Sequence, residues 1–495
     1  MANGTPAIMA DGEEAAARPS LVGAGGRALS IRVVSQAAQL LLFIAAARVL
    51  TPADFGVFAL VQAASVLLFV VAAAGWREFI LAWSGSTQAV NQAITLSIFS
   101  GYAMAAIGLA SAFVMTLVFD LATVGMLAAL FSVCVLMAPM TSAFGAILVS
   151  RGHMRALALS NMAAELVGLS IGLWLLYQGW GVLALAAGKI AMQAMDLLGV
   201  IWAARWRLQL HLRGGFGSQI VEISRQILAN RVIGFVMSYA ATFIVGGYLG
   251  VTSVGFFRAA ERVVSSISEL IFEPLRLLGW MVFRGAADNA RTNIGARDNL
   301  SKEASIFLPL LIVFASPIFV GLSVVSEEIV VVLLGEAWAP AAPVVSMLAV
   351  SSLLLIPTVT TEPLLTITGK IDRLPPVALL NAVVTVAVLF AFARFGLLAA
   401  AGARIFSSAV IMLSALWLQD RYAKAPWWGA IKHAAPVYTA LVALVISVVV
   451  GRLVMIEFDI SMAGRLAVEV VVGALAYFFA IFVIRPSYLR TVLWL

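Results

Sequence analysis

Cysteine, histidine and charged residues are scarce in this chain of 495 residues. The one cysteine, Cys134, lies in an apolar run, which excludes an internal disulfide and a metal site built on cysteines. The three histidines lie in or beside basic stretches, and none is spaced from Glu or Cys in the way metal ligands are. We therefore predict neither a metal site nor a cofactor.

Catalytic signatures are missing as well. The sequence contains no phosphate-binding P-loop and no Gly-x-Ser-x-Gly nucleophile elbow. The polar stretches between apolar runs are too short to form a soluble catalytic domain. We predict that the protein is not an enzyme and does not hydrolyse ATP.

Long apolar runs dominate the chain: 63% of its residues are hydrophobic and 11% are charged, against about 25% charged in soluble domains. Because roughly 20 apolar residues span the hydrocarbon core of a bilayer, the runs predict an all-α polytopic membrane protein. We place about 14 transmembrane helices near residues 28–50, 55–80, 91–117, 122–149, 156–177, 181–203, 226–249, 254–283, 304–325, 340–368, 375–393, 396–418, 432–453 and 463–485.

The distribution of Lys and Arg predicts the orientation. An even number of spans puts both termini on one side, and with cytoplasmic termini 20 of the 31 Lys and Arg residues fall in inner loops. Only four fall at outer loops: Arg48, Arg394, Arg452 and Arg465. The net charge of +7 is thereby explained by membrane orientation, and we predict no nucleic-acid partner.

Landmarks recur along the chain in the same order. "RVLTPADFGVFAL", which begins at Arg48, aligns with "GYLGVTSVGFFRAAER" at an offset of 199, which pairs Gly56 with Gly255. Pro139 and Pro357 then recur at an offset of 218, so the second half carries extra residues before Pro357. Six helices per half put both copies the same way up, as in transporters whose lobes face each other across a pathway.

These landmarks predict five segments. They are a disordered cytoplasmic tail (1–25), an N-lobe (26–204), a basic cytoplasmic linker (205–225), a C-lobe (226–420) and a final helix pair with a cytoplasmic C-terminus (421–495). The two lobes are thus parallel repeats of six helices, followed by two further helices.

The eighth predicted helix carries a charge load that is too costly to face lipid. The load includes Glu261, and at 100° per residue six other polar side chains fall within an arc of about 80°. These are Arg258, Arg262, Ser265, Glu269, Glu273 and Arg276. The stripe either lines a hydrated cavity or forms a buried structural network of helical pairs, although two of its steps join like charges.

Further ionisable residues lie inside other predicted spans. Arg231 and Arg404 are candidates for the same cavity as the stripe. Arg32 either joins them, with Gln36 and Gln39, or is an interfacial anchor. Glu362 lies in "PTVTTEP", where two prolines loosen the helix, so it marks either an ion site or a plain kink.

Arginine outnumbers lysine within the spans, and planar guanidinium groups suit phosphate oxygens. The bias indicates an anionic, phosphorylated substrate. We predict that Arg258, Arg262, Arg276, Arg231, Arg404 and Arg32 hold it, and that Glu269, Glu273 and Glu362 are candidates for coupling to H⁺ or Na⁺.

Four stretches resemble the polysaccharide transporter family, the Wzx-type flippases of the multidrug/oligosaccharidyl-lipid/polysaccharide flippase superfamily. They are "RVLTPADFGVFALVQ", "YLGVTSVGFFRAAERV", "LLGEAWAPAAPVVSMLA" and "GWGVLALAAGKIA", and the resemblance runs from about Leu21 to Ser408. It implies a V-shaped pair of lobes around a cationic cavity. It also implies export of undecaprenyl-pyrophosphate-linked oligosaccharides across the bacterial inner membrane for O-antigen, capsule or exopolysaccharide.

The partners implied by this resemblance are the lipid-linked oligosaccharide, membrane lipids, and the polymerase and export machinery of the polymer. One alternative is a cation-coupled multidrug antiporter of the same superfamily, whose cavity should be less rich in arginine. A second is a membrane-embedded polysaccharide polymerase or ligase, which needs a larger outer loop than this sequence has. A scaffold or receptor leaves the buried charges unexplained.

Overall fold

The computed structural model describes residues 36, 38–73, 75–83, 85–206, 209–210, 217–292, 296–455 and 460–484. Every regular element among them is a helix, which confirms the predicted all-α class. The helices are α1 (Ala38–Val49), α2 (Pro52–Ala72), α3 (Trp76–Ala82), α4 (Thr87–Leu117), α5 (Ala122–Ser150), α6 (Met154–Tyr177), α7 (Val182–Ala204), α8 (Gly217–Thr292), α9 (Ala296–Val324), α10 (Ser326–Leu334), α11 (Ala342–Leu354), α12 (Thr361–Ile367), α13 (Leu374–Ala393), α14 (Leu397–Leu418), α15 (Trp427–His433), α16 (Ala435–Met455) and α17 (Met462–Ile484).

Twelve helical stretches in these described ranges are long and apolar enough to cross a membrane. One of them, Ile227–Ala287, has 61 residues and breaks at Gly250, where φ is 80° and ψ is 175°. We name its two parts α8a (217–249) and α8b (251–292). The described part of the first predicted span is the shorter α1, and the start of that span lies outside the described residues. The predicted number of fourteen spans therefore stays a prediction.

Two helical halves and a terminal pair make up the bundle. In the first half α4 packs on α5, α6 packs on α7, and α5 contacts both α2 and α7. In the second half α11 packs on α9 and α14, and α13 packs on α14 and α8. The remaining long helices, α16 and α17, pack on each other and on α9.

The turn between α1 and α2 is built by the residues that made it conspicuous in the sequence. Thr51 caps α2: its hydroxyl accepts from the Asp54 amide at 3.2 Å, while the Asp54 carboxylate accepts from the Thr51 amide at 3.3 Å. Pro52 occupies the first helical position, where a missing amide costs nothing. The turn thus stops one helix and restarts the next.

Glycines bring the two halves into backbone contact beside this turn. A Cβ on Gly56 would collide with the carbonyl oxygen of Val251, and a Cβ on Gly255 would collide with the carbonyl oxygen of Pro52. The close approach of α2 and α8b therefore requires glycine at both positions. It explains why this glycine recurs.

Trp338, from the stretch "LLGEAWAPAAP", fills the core at the same end of the bundle. Its side chain is fully buried, and its indole Nε1 donates to the Ala47 carbonyl at 2.8 Å. The ring makes an edge contact with Phe55, with centroids 5.7 Å apart. Trp338 therefore joins the second half of the chain to α1 and α2.

The predicted helix 340–368 is broken in the structure into α11, a 3₁₀ turn at Ile356–Thr360, and α12. Pro357 causes the break because it has no amide to donate. The carbonyl of Pro357 accepts from Nε2 of Gln419 at 2.8 Å, and that buried amide also binds Thr361 and Thr360. The break is therefore fixed by hydrogen bonds.

Candidate functional site: a cationic cavity between the halves

A cavity of about 720 Å³ lies between the two halves. Its walls come from α1, α2, α6 and α7 on one side, and from α8a, α8b, α14 and the broken helix at Leu355–Thr358 on the other. Four cationic side chains line it, Lys189, Arg258, Arg262 and Arg404, together with two anionic ones, Glu165 and Glu261. The formal charge of this lining is therefore +2.

A glycine crossing positions the acidic and basic residues of the first half. A Cβ on Gly168 or on Gly188 would lie 2.9 Å from the carbonyl oxygen of the other, so α6 and α7 touch at their backbones. Glu165 lies one turn before Gly168, and Lys189 follows Gly188. The crossing thus brings a carboxylate and an ammonium group to the same wall.

Arg258 is held by its own helix and by α8a. Its Nη1 donates to the Glu261 carboxylate at 2.6 Å and approaches the Ser238 carbonyl at 3.4 Å. The guanidinium also lies 5.0 Å from the centroid of the Tyr239 ring. Arg258 is therefore fixed at the wall with its charge already compensated.

Arg262 reaches across the cavity to the first half. Its Nη2 donates to Oε1 of Gln39 at 3.0 Å, and Nε2 of Gln39 donates to Glu165 at 2.7 Å. One neutral amide therefore connects a guanidinium of α8b with a carboxylate of α6. This is a hydrogen-bonded chain between the two halves.

Arg404 and Lys189 differ from these two arginines. The Nε of Arg404 is buried and has no hydrogen-bond partner in the described part of the chain. Lys189 likewise makes no side-chain hydrogen bond or ion pair with a described residue. Arg404 is therefore available to an anionic ligand in the cavity, while Lys189 lies there within the electrostatic influence of Glu165.

The predicted polar stripe of the eighth helix has two parts that lie in different surroundings. Arg258, Arg262 and Ser265 line the cavity. Further along α8b, Glu269 accepts a hydrogen bond from Gln36, and the Glu273 carboxylate pairs with Arg276 at 2.8 Å. The structure thus places the first part of the stripe in the cavity lining, while the second part makes a hydrogen bond and an ion pair outside it.

The other predicted site residues lie apart from the cavity lining. Arg231 pairs with Glu78 at 2.7 Å and donates to the Ala73 carbonyl at 3.2 Å. Glu362 has a half-exposed side chain 3.7 Å from the Arg276 guanidinium. Arg32 lies outside the described residues.

Sequence reasoning did not assign Lys189, Glu165 and Glu261 to the site. The signal was present, since Glu165 and Lys189 are ionisable residues in the middle of apolar spans, where a charge marks a functional site by default. What the sequence does not contain is the helix rotation that turns α6 and α7 toward the second half. Within the described ranges, no group of three or more His, Cys, Asp or Glu residues is placed to hold a metal.

Residues 45–343 match the family described as polysaccharide biosynthesis protein. The chain belongs to this family. Among curated proteins it is similar to the succinoglycan biosynthesis transport protein ExoT of Rhizobium meliloti (strain 1021), with 25% identity over 244 residues. That match covers 48% of this chain and 47% of ExoT, so the chain spans about half the length of the relative it matches.

Solved structures show the fold of this polysaccharide biosynthesis protein. A lipid II flippase MurJ in an inward closed conformation superposes with a TM-score of 0.71 and 12% identity, covering 94% of this chain and all of that one. An inward-facing multidrug resistance MATE transporter gives a TM-score of 0.62 over 79% of this chain and 95% of its own, also at 12% identity. The chain thus shares its fold with these two membrane transporters, which confirms the predicted fold class, and the family match over residues 45–343 confirms the predicted resemblance to polysaccharide transporters.

Proposed function

We propose that this family member is a flippase for undecaprenyl-pyrophosphate-linked oligosaccharide repeat units. It moves them from the inner to the outer leaflet of the bacterial inner membrane, with its own termini in the cytoplasm, for exopolysaccharide, O-antigen or capsule assembly. The family, and the transport function in the name of its succinoglycan relative, support this class of substrate. A polymerase and export machinery then receive the repeat unit on the far side.

The observation that carries the proposal is the surplus of positive charge in the cavity. The side chains of Lys189 and Arg404 make no hydrogen bond to a described residue, although Glu165 lies near Lys189. Arg258 is paired with Glu261, whereas Arg262 is bound to a neutral amide, which a charged acceptor displaces. Phosphate oxygens are such acceptors, because their negative charge adds Coulomb attraction to the hydrogen bond from a guanidinium. The pyrophosphate is therefore bound by the four cavity cations while the polyprenyl tail stays in lipid.

The cavity volume is large enough for the substrate headgroup in one conformation of two lobes that move relative to each other. About 720 Å³ lies within the range of roughly 300–1,000 Å³ that houses drug-sized ligands. It accommodates a pyrophosphate with a sugar or two, so a larger repeat unit requires the lobes to rock apart. Arg276 and Arg231 hold partner carboxylates in this scheme, and Glu269, Glu273 and Glu362 are the candidates for coupling the return step to H⁺ or Na⁺.

A leaflet-protection assay tests the proposal. Purified protein in vesicles receives undecaprenyl-pyrophosphate-linked sugar with a fluorescent label, and a membrane-impermeant quencher reports the fraction in the outer leaflet. We expect Lys189→Gln with Arg404→Gln to slow translocation by about a hundredfold, which corresponds to roughly tenfold for each lost charge-assisted contact. Arg394→Gln is the matched control, since Arg394 lies outside the cavity against Phe395.

Translocation at the wild-type rate by the Lys189→Gln, Arg404→Gln double variant contradicts the phosphate role. Full transport by an Arg258→Ala, Arg262→Ala double variant contradicts it equally. If the wild type instead moves ethidium in exchange for protons and leaves the labelled lipid in place, the antiporter alternative is correct.

A further inference from the structure

We propose that Gln39 is a positioning residue that latches the two halves together in the empty cavity and is released when an anionic headgroup takes Arg262. This inference rests on the proposed function. It concerns how the halves sense the substrate rather than which groups bind it.

The latch follows from the direction of two hydrogen bonds. Oε1 of Gln39 accepts from Arg262 of α8b at 3.0 Å, and Nε2 of Gln39 donates to Glu165 of α6 at 2.7 Å. An amide has an acceptor oxygen and a donor nitrogen, so it joins a cation to an anion without adding charge. A carboxylate at position 39 repels Glu165, and an apolar side chain joins neither.

Arg262 is the cavity cation that makes this connection. Arg258 bonds within the second half, while the side chains of Arg404 and Lys189 make no hydrogen bond to a described residue. A pyrophosphate bound to Arg262 offers a charged oxygen where Gln39 offers a neutral one, and the opposite charge adds Coulomb attraction to the hydrogen bond. The substrate thus takes the guanidinium away from Gln39 and breaks the hydrogen-bonded connection between the halves.

A nearby contact shows that the release is specific to Arg262. Gln36, three residues before Gln39 in the sequence, donates to the Glu269 carboxylate of α8b. An anionic headgroup gains little by competing for this bond, since the Gln36 amide already donates to an anionic oxygen. The halves therefore stay connected through Gln36 when the Gln39 bridge opens.

The test measures the distance between the halves in nanodiscs. Spin labels are placed at the exposed pair Tyr177→Cys and Phe395→Cys, and in a second sample at His153→Cys and Ile371→Cys, in a Cys134→Ala background. Undecaprenyl pyrophosphate is the added probe and undecaprenol is the uncharged comparison. We expect undecaprenyl pyrophosphate, and not undecaprenol, to shift the wild-type distance distribution at one end of the bundle.

In Gln39→Leu we expect the distribution without ligand to move toward that of the liganded wild type, with roughly a three- to tenfold change in the ratio of the two populations. Gln62→Leu is the matched control, because Gln62 lines the same cavity without a hydrogen-bond partner among the described residues. Glu165→Leu combined with Gln39→Leu should shift the ratio no further than Gln39→Leu alone, since both cut the same chain.

An unliganded Gln39→Leu distribution equal to that of the wild type overturns the latch. So does a Gln62→Leu shift as large as that of Gln39→Leu, because cavity polarity alone then explains the change. Binding of radiolabelled undecaprenyl pyrophosphate is measured on the same nanodiscs. Its absence in the wild type overturns the proposed function, while the unliganded comparison still decides the latch.

Discussion

Two arginines inside membrane-spanning helices, Arg404 of α14 and Arg452 of α16, are surrounded very differently. Arg452 donates from Nε to Glu469 at 3.0 Å and from Nη2 to Glu328 at 2.8 Å, and both carboxylates are buried. A further bond from Nη2 reaches the Val324 carbonyl at 3.0 Å. Arg404 lines the central cavity, and its buried Nε lacks a partner among the described residues.

The comparison shows that a charge in a span is not by itself the mark of a transport site. Arg452 connects α16 to α17 and to the short helix α10, and the two carboxylates that it binds there compensate its charge. Arg404 has no such structural use in the described part of the chain, and it faces a cavity. An unmatched buried cation, rather than a buried cation, therefore indicates where an anionic ligand binds.

Removal of the Arg452 guanidinium should have the largest effect on stability. In Arg452→Met two buried carboxylates lose their common partner, and breaking a buried pair in this way costs about 3–5 kcal/mol. We expect a clearly lower unfolding temperature in detergent by scanning fluorimetry. The triple variant Arg452→Met, Glu328→Gln, Glu469→Gln should recover most of the loss, and a single variant as stable as the wild type contradicts the structural role.

Arg404→Met should act in the opposite direction. Because it removes a charge that no described group compensates, we expect stability to stay unchanged or to rise by about 1 kcal/mol. Translocation of the labelled lipid-linked sugar should fall by about tenfold, the value of one charge-assisted contact. A loss of stability comparable with that of Arg452→Met shows instead that Arg404 has a structural partner.

Glu362 gives the smallest expected effect on stability. Its side chain is 51% exposed and lies 3.7 Å from Arg276, and exposed pairs contribute only about 0.2–1 kcal/mol. Glu362→Gln should therefore unfold within about 1 kcal/mol of the wild type. Its transport should lose part of its dependence on the ion gradient, measured with imposed H⁺ and Na⁺ gradients, and an unchanged dependence removes Glu362 as a coupling site.

Hydropathy and repeats were sufficient to predict the class of fold. Apolar runs of about 20 residues must form helices in a bilayer, because every backbone group needs an internal partner there. The recurrence of Gly56 at Gly255 located equivalent corners of the two halves, and the structure shows the close contact that requires both. Pro357 likewise marked a real break, although the sequence does not reveal that Gln419 binds its carbonyl.

The candidate site was only partly predictable. The arc on the eighth helix brought Arg258 and Arg262 together, since a single helix fixes the angles between its own side chains. The contributions of Glu165, Lys189 and Gln39 depend on how separate helices rotate against each other, and no local pattern encodes that. The sequence analysis placed Arg452 at an outer loop, and in the structure it lies in the last turn of α16. Its ion pairs with Glu328 and Glu469 could not be predicted, because these partners are distant in sequence.

The glycine contact between α2 and α8b has one more consequence. Pro52 and Gly56 face Val251 and Gly255, and both pairs are related by the same offset of 199. In the vocabulary of oligomers this is an isologous interface, made by one patch meeting its own equivalent across a two-fold axis, here inside a single polypeptide. Such an interface is closed, because each patch is covered by its equivalent. Neither patch is therefore exposed to bind a second copy of the chain.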